Sequence, residues 1–368
     1  MSLIIIKLGT QIVIEDDGYS PAIKRLENIV KDIATLTKNG EDVLLVSSGS
    51  IGLGRKELGL KKSPELSKRQ MCAALGQQKL MTIYSELFQK EGIKTAQILI
   101  TASDLSDRVR YKNLQNCLLE CVQNKIVPII NENDVVSIAG IVEEGKEKSF
   151  DDNDKLSSII AAKLQADILI ILTNVEGVFS GNPSLEPQAK LIKVLSAEEV
   201  ITTEGTSLNG RGGMTSKLKA ARTASLCGVK TIICSGFIDE PILKALNSNS
   251  GTIIPPTKTL QNRKAWIGIA SGYSGTVIIN SCTTEAFEKG EKFSLLPIGV
   301  TNIKGEFNVK DIISIQDSAG KEIARGIASI SSKTLDTIKG QHTKDAKAKL
   351  LPGEKDEVIH RDNLVVLI

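Results

Sequence analysis

The chain has 368 residues, with 46 Lys and Arg against 43 Asp and Glu for a formal net charge of +3. That length allows one large domain or two ordinary ones around a substantial core. The near balance of charge excludes strong electrostatic attraction to nucleic acid or a membrane surface.

No apolar run is long enough to cross a bilayer. The opening Met1-Ser2-Leu3-Ile4-Ile5-Ile6-Lys7 lacks a basic flank and a cleavage site. It reads as a strand rather than a signal peptide, and a cytoplasmic protein is expected. The six cysteines show no CxxC spacing, and reduced core thiols are expected. The only histidines are His342 and His360. Chemistry in the first three quarters must therefore use Lys, carboxylates, hydroxyls and backbone amides.

Leu3–Leu8 fits a buried strand that opens into a tight turn at Gly9. Ser20-Pro21 reads as the N-cap and first position of a helix whose apolar face is Ile23, Leu26, Ile29, Val30 and Ile33. Gly40 stops it. Val43–Val46 is the next buried strand and runs into Ser47-Ser48-Gly49-Ser50. A helix is expected over Glu65–Lys90, a strand over Thr95–Ile100, a helix over Tyr111–Asn124 and a strand over Ile126–Ile130, ending in Asn131-Glu132-Asn133-Asp134. Val135–Ser149 reads as a polar hairpin. It leads to Asp151-Asp152-Asn153-Asp154, where spacings of three and four in Leu156, Ile159, Ile160 and Leu164 start another helix. Strand Ile168–Leu172 breaks at Thr173-Asn174, a helix follows Gly210–Lys217, and Thr231–Cys234 is a further strand.

Apolar strands alternating with helices mark a mainly parallel sheet covered on both faces. In such sheets ligands bind beyond the carboxyl ends of the strands. Lys7, Ser48-Gly49, Asn131–Asp134 and Thr173-Asn174 all lie there. Each alone is as easily a cap or a turn; their convergence points to a site. After Pro255-Pro256 short alternating strands appear at Thr276–Ile279, Ile312–Gln316 and Leu364–Ile368, which indicates a small β-rich domain. The expected division is residues 1–258, a linker 259–275 that includes the junction at Asn262–Trp266, and residues 276–368. The last segment carries 13 Lys/Arg and 13 Asp/Glu, so cationic RNA binding is disfavoured.

The glycines at Gly9, Gly49 and Gly210–Gly213 let backbone N–H groups approach an anion. Neither a Walker loop nor a dinucleotide fingerprint is present. Lys217, just after Gly212-Gly213, and Lys7 would point ammonium groups at the same anion, with Asp154 between them. That arrangement suits phosphoryl transfer, in which positioning and charge stabilisation carry the catalysis. Without a histidine base, a carboxylate is the acceptor that fits, because it is already ionised at neutral pH.

These motifs resemble the glutamate 5-kinases of the amino acid kinase family, followed by a C-terminal PUA domain. The likeness runs over essentially the whole chain. It is carried by Ile6-Lys7-Leu8-Gly9-Thr10, Val46–Ile51, Val127–Asp134, Asp152–Ser157, Leu172-Thr173 and Gly212–Lys217, and in the last segment by Leu296–Val300 and His360–Asn363. The resemblance implies the amino acid kinase fold, a β-barrel-like PUA ending, and ATP-dependent phosphorylation of the γ-carboxylate of L-glutamate at the start of proline synthesis. It assigns catalysis to Lys7, Lys217 and Asp154, and glutamate binding to Ser48, Asp134 and Asn153. Nucleotide binding falls to Lys7, Gly9, Thr173, Asn174, Arg211, Gly212, Gly213, Met214, Thr215, Ser216 and Lys217. Mg²⁺ arrives with ATP, with no protein metal site. Proline as a feedback inhibitor and a homo-oligomer are also implied. Asn174 and Arg211 depart from the family pattern, which usually has Asp and Thr there, and bear on nucleotide affinity. The rivals are a kinase of the same fold acting on aspartate or carbamate, and an RNA-binding protein.

Overall fold

The computed structural model describes every residue except 61–64, 138–152, 182, 184, 187, 197–212, 249, 258–266, 269–272, 290–292 and 368. The described residues divide between 259 and 260 into two compact units.

In the first unit β1 (Leu3–Leu8) leads through α1 (Thr10–Val13) and α2 (Ile23–Lys38) to β2 (Asp42–Ser47). Then α3 (Ser50–Glu57) and α4 (Leu66–Lys90) lead to β3 (Lys94–Ile100), and α5 (Ala102–Ser106) and α6 (Arg108–Gln123) lead to β4 (Ile126–Glu132). Next, α7 (Asn153–Leu164) enters β5 (Ile168–Thr173), and α8 (Met214–Leu226) enters β6 (Lys230–Ser235). Last come α9 (Pro241–Leu246) and the short β7 (Thr252–Ile254). The sheet order is β3-β4-β2-β1-β5-β6-β7. Among the described strands of this sheet, β7 alone runs antiparallel to its neighbour.

The central strand explains this layering. Ile4, Ile5, Ile6 and Leu8 are all buried, as a strand covered on both faces requires. On α2, Leu26, Ile29, Val30 and Ile33 form the inner stripe. Full burial of each such side chain is worth roughly 1.5–3 kcal/mol.

Two local readings change. Pro21 does not open α2: it pairs in a β-bridge with Ile14, and the Ala22 N–H donates to Val13 O at 2.9 Å. That bridge keeps Ser20-Pro21 extended, so the helix starts two residues later. Ahead of the expected helix at Tyr111, a capping box between Thr101 and Asp104 starts α5. The Asp107 carboxylate then accepts from the Arg110 N–H at 2.8 Å and starts α6 early. The chain does turn at Gly9, which is extended at φ −73° and ψ 161° and whose carbonyl accepts from the Ile12 N–H at 2.9 Å as α1 begins.

The second unit is a five-stranded sheet in the order β12-β11-β10-β8-β9. Its strands are β8 (Gly275–Ile279), β9 (Val300–Lys304), β10 (Ile312–Gln316), β11 (Glu322–Ala328) and β12 (Ile359–Val366). β8 and β10 are parallel. Val277, Ile279, Phe287, Ile313, Ile315 and Ile323 lie in its core. All six cysteines are free, but Cys117 and Cys282 are exposed rather than in the core. Most of the expected hairpin, the Asn262–Trp266 junction and much of the 259–275 linker lie outside the described residues.

Candidate active site

β1 carries Lys7 to its carboxyl end, in register with Val46 of β2 and Ile171 of β5. There the Lys7 ammonium pairs with Asp154 Oδ1 in the first turn of α7. Lys217, in the first turn of α8, stands 3.5 Å from Asp154 Oδ2. The Ser216 hydroxyl donates to that same oxygen at 3.2 Å. Lys7 is 4 %, Asp154 1 % and Lys217 8 % exposed.

Burial on its own would raise the Asp154 pKa. The charges of Lys7 and Lys217, with the Lys7 and Ser216 hydrogen bonds, outweigh it and hold the carboxyl below the usual value. The N-terminal end of α7 favours the same ionised form. Among the described residues two ammoniums share one carboxylate, so Lys7, Asp154 and Lys217 together carry one net positive charge in a nearly dry place. A phosphoryl group in transfer complements that charge.

Gly9 lies beside this cluster: a Cβ on it would stand 3.7 Å from Lys7 Nζ, at ordinary contact distance. Beside it Thr173 ends β5. Its carbonyl accepts from the Gly236 N–H at 2.9 Å, and its hydroxyl donates to Asn174 Oδ1 at 3.3 Å. Asn174 is exposed. Gly213 caps the N-terminus of α8, and Met214, Thr215, Ser216 and Lys217 form its first turn. Arg211 and Gly212 lie outside the described residues, as do Asp151 and Asp152.

A second cluster is built from amides and hydroxyls. Asn153 Nδ2 donates to Ser47 O at 3.1 Å, Ser48 Oγ at 2.9 Å and Asn131 Oδ1 at 2.9 Å. Asn131 Nδ2 in turn donates to Gln77 Oε1 at 2.9 Å and Ser50 Oγ at 3.4 Å. The turn that presents Ser48 depends on Gly49, at φ 105°, whose Cβ would fall 2.7 Å from Val13 Cγ1. Beneath it Ser47 Oγ and Tyr84 OH are 2.7 Å apart, and burial pushes the tyrosine pKa up. Asp134 stands half-buried in the turn after β4.

The structure thus joins Lys7, Asp154, Ser216 and Lys217 in one cluster, and Ser48 and Asn153 in another. Asn153 and Asp154 are adjacent, so α7 links the two. Gln77, Asn131 and Ser50 belong to the second cluster but were not singled out as site residues. Asn131 and Ser50 sat within recognised motifs. Gln77 lay unmarked inside a long helix, and only the neighbouring Gly76 gives a signal. A Cβ at Gly76 would meet Ser50 O at 1.7 Å, and one at Gly54 would meet Cys72 O at 1.8 Å. These glycines let α3 and α4 touch backbone to backbone.

A parallel sheet with a lysine–aspartate–lysine cluster at its carboxyl end defines a class of phosphotransferase, and sequence comparison agrees. Residues 2–235 match the Amino acid kinase family and residues 275–350 the PUA domain. The chain belongs to the amino acid kinase family. It is 38% identical over 371 residues to the glutamate 5-kinase of Dehalococcoides mccartyi (strain CBDB1), covering 99% of this chain and 98% of that one. It is 37% identical over 376 residues to the glutamate 5-kinase of Gloeobacter violaceus, covering all of both. Among solved structures, carbamate kinase from Giardia lamblia bound to AMP-PNP shares the fold, with a TM-score of 0.50 at 16% identity over 70% of this chain and 99% of that one.

Proposed function

We propose that the chain transfers the γ-phosphoryl group of ATP to the side-chain carboxylate of L-glutamate, giving L-glutamyl 5-phosphate, the first step of proline synthesis. The observation that carries this is Asp154 holding Lys7 and Lys217 together in a buried, net-positive cluster. A carboxylate oxygen of glutamate attacks the γ-phosphorus, the bond to the β,γ-bridging oxygen breaks, and ADP leaves with that oxygen. The acceptor is ionised well below pH 7, with a reference pKa of about 4.3, so no general base is needed. Lys7 and Lys217 stabilise the charge on the transferring group, and Asp154 keeps the two ammoniums from separating.

Ser48, Asn153 and Asp134 bind glutamate in this reading, with Asp134 facing the α-ammonium. Gly9, Thr173, Asn174 and the Arg211–Lys217 segment line the nucleotide site. The donor set at the centre, two lysines sharing one carboxylate, suits phosphate oxygens and not a divalent cation. Mg²⁺ therefore belongs to the nucleotide in this reading. Proline as an inhibitor, a homo-oligomer and a cytoplasmic location belong to the same reading, as does a kinase module over residues 1–258 joined by residues 259–275 to a PUA module. No described helix is long and apolar enough to cross a membrane. The neutral charge of the PUA segment supports a role other than RNA binding.

The test is ATP turnover with L-glutamate, L-aspartate and carbamate, with and without hydroxylamine. Glutamate-dependent ADP release with a trapped hydroxamate is the expected result. Turnover confined to aspartate or carbamate would overturn the substrate assignment.

A further inference from the structure

The bend that carries Asn174 is fastened at both ends. Ahead of it, the Thr173 carbonyl accepts from the Gly236 N–H at 2.9 Å. Behind it, the Val178 N–H donates to Thr252 Oγ1 at 2.8 Å. Between these ties lie only Asn174, Val175, Glu176 and Gly177. Thr252 opens β7 opposite Ile233, close to the carboxyl end of β6. Both ties therefore sit at the end of the sheet where ligands of such folds bind.

Thr252 is fully buried, and its hydroxyl is used twice. It accepts from Val178 and donates to the Ile192 carbonyl at 2.6 Å. The Ile192 N–H in turn donates to the Val178 carbonyl at 2.8 Å, and Phe179 and Leu191 form a β-bridge. One hydroxyl thus holds both arms of the loop that leaves β5. The approach is close enough to require a glycine: a Cβ on Gly177 would fall 2.7 Å from Thr252 Oγ1 and 3.1 Å from the Thr252 nitrogen. A tie that served stability alone could close anywhere along this loop. This one closes four residues beyond Asn174, whose side chain is exposed at the strand end.

We propose that Thr252 is a positioning residue for the nucleotide: through Val178 its hydroxyl fixes the bend that presents Asn174, without touching ATP itself. This rests on the reading that Thr173 and Asn174 line the nucleotide site. A bend fixed in advance spares binding the cost of ordering it. Losing the tie therefore weakens nucleotide binding and leaves the glutamate cluster, on β2, β4 and α7, unaffected.

Thr252→Val removes the hydroxyl and keeps the branched shape. Thr252→Ser keeps the hydroxyl. Gly177→Ala attacks the same contact from the other side. Binding of AMP-PNP with Mg²⁺ to the full chain is measured by titration calorimetry, which needs no turnover. The KM values for ATP and glutamate and the Tm are measured beside it. For Thr252→Val and Gly177→Ala the AMP-PNP Kd and the KM for ATP should rise about three- to tenfold, up to the full worth of one lost hydrogen bond. The KM for glutamate should stay within about twofold, and Thr252→Ser should match wild type in all three. A Val variant with a lowered Tm and an unchanged AMP-PNP Kd makes the hydroxyl purely structural and overturns the inference alone. Equal rises in both KM values also overturn it, as does a Ser variant as impaired as the Val variant. Wild-type protein that does not bind AMP-PNP overturns the nucleotide-site reading and this inference with it. A variant that fails to fold is replaced by Thr252→Ala, for which the Val expectation holds.

Discussion

Asp154→Asn tests the centre of the site, because it preserves shape while removing the one charge that two buried lysines share. Lys217 lies 3.5 Å from Asp154 Oδ2. At an effective dielectric near 20 that contact is worth on the order of 5 kcal/mol of Coulomb attraction, before the cost of desolvation. Removing one partner of a buried ion pair leaves an uncompensated charge and typically costs about 3–5 kcal/mol. Here two ammoniums would also face each other across a neutral amide. A loss of that size lowers Tm by on the order of 10 °C in a domain of this scale. The folded pKa of Asp154 is depressed, so its stabilising contribution is complete above the unfolded value near 4 and is lost only as pH falls through the folded value. Asp154 itself therefore adds no pH dependence to the Tm of the wild type from pH 6 to 9. Phosphates of bound ATP supply the missing negative charge, so ATP should raise the Tm of the variant more than that of wild type. Turnover should fall about 10²–10³-fold, as on losing a preorganised transition-state contact. The assays are hydroxamate formation and thermal unfolding with and without ATP. A variant within tenfold of wild-type turnover and unchanged in Tm would refute the shared-carboxylate account.

Asp134→Ala should raise the KM for glutamate far more than the KM for ATP, measured by varying each substrate at saturation of the other; equal rises would move Asp134 out of the amino-acid site. Burial pushes the Lys163 pKa down to about 7, so between pH 7 and the unfolded value near 10.5 the unfolded chain binds more protons and stability should climb with pH. Chemical denaturation of wild type and Lys163→Met at pH 7 and 9 checks this, with a flatter rise expected in the variant. A fragment of residues 1–260 should fold and form acyl phosphate, because Lys7, Asp154 and Lys217 all precede it; a folded but inactive fragment would show that the chemistry needs the C-terminal segment.

The sequence made the middle of the sheet legible because burial on both faces writes β1 and β5 as apolar runs. Leu3–Ile6 and Ile168–Leu172 could hardly be anything else. Helix ends were less legible. Ser20-Pro21 carries a start signal that is overridden by a tertiary bridge to Ile14, a partner that local pattern cannot reveal. Lys7, Asp154 and Lys217 stood out because charge is rare at the end of buried strands and beside glycine turns, and the family resemblance assigned their roles. The ion pairs themselves depend on the strand order, which sets β1 beside β5 and brings α7 and α8 together over them.

Gln77 marks where that legibility stops. A glutamine inside a 25-residue helix looks like any solvent-facing position, and helical periodicity assigns it no role. Its significance comes from Gly76 and Gly54, whose missing side chains let two helices meet at their backbones, and from three amides that fix one another's orientation. Neither effect has a local sequence signature, since each is a relation among α3, α4, β4 and α7 that exists only after folding. A charged residue announces itself against an apolar background, whereas a neutral one such as Gln77 is distinguished only by the partner it keeps, Asn131.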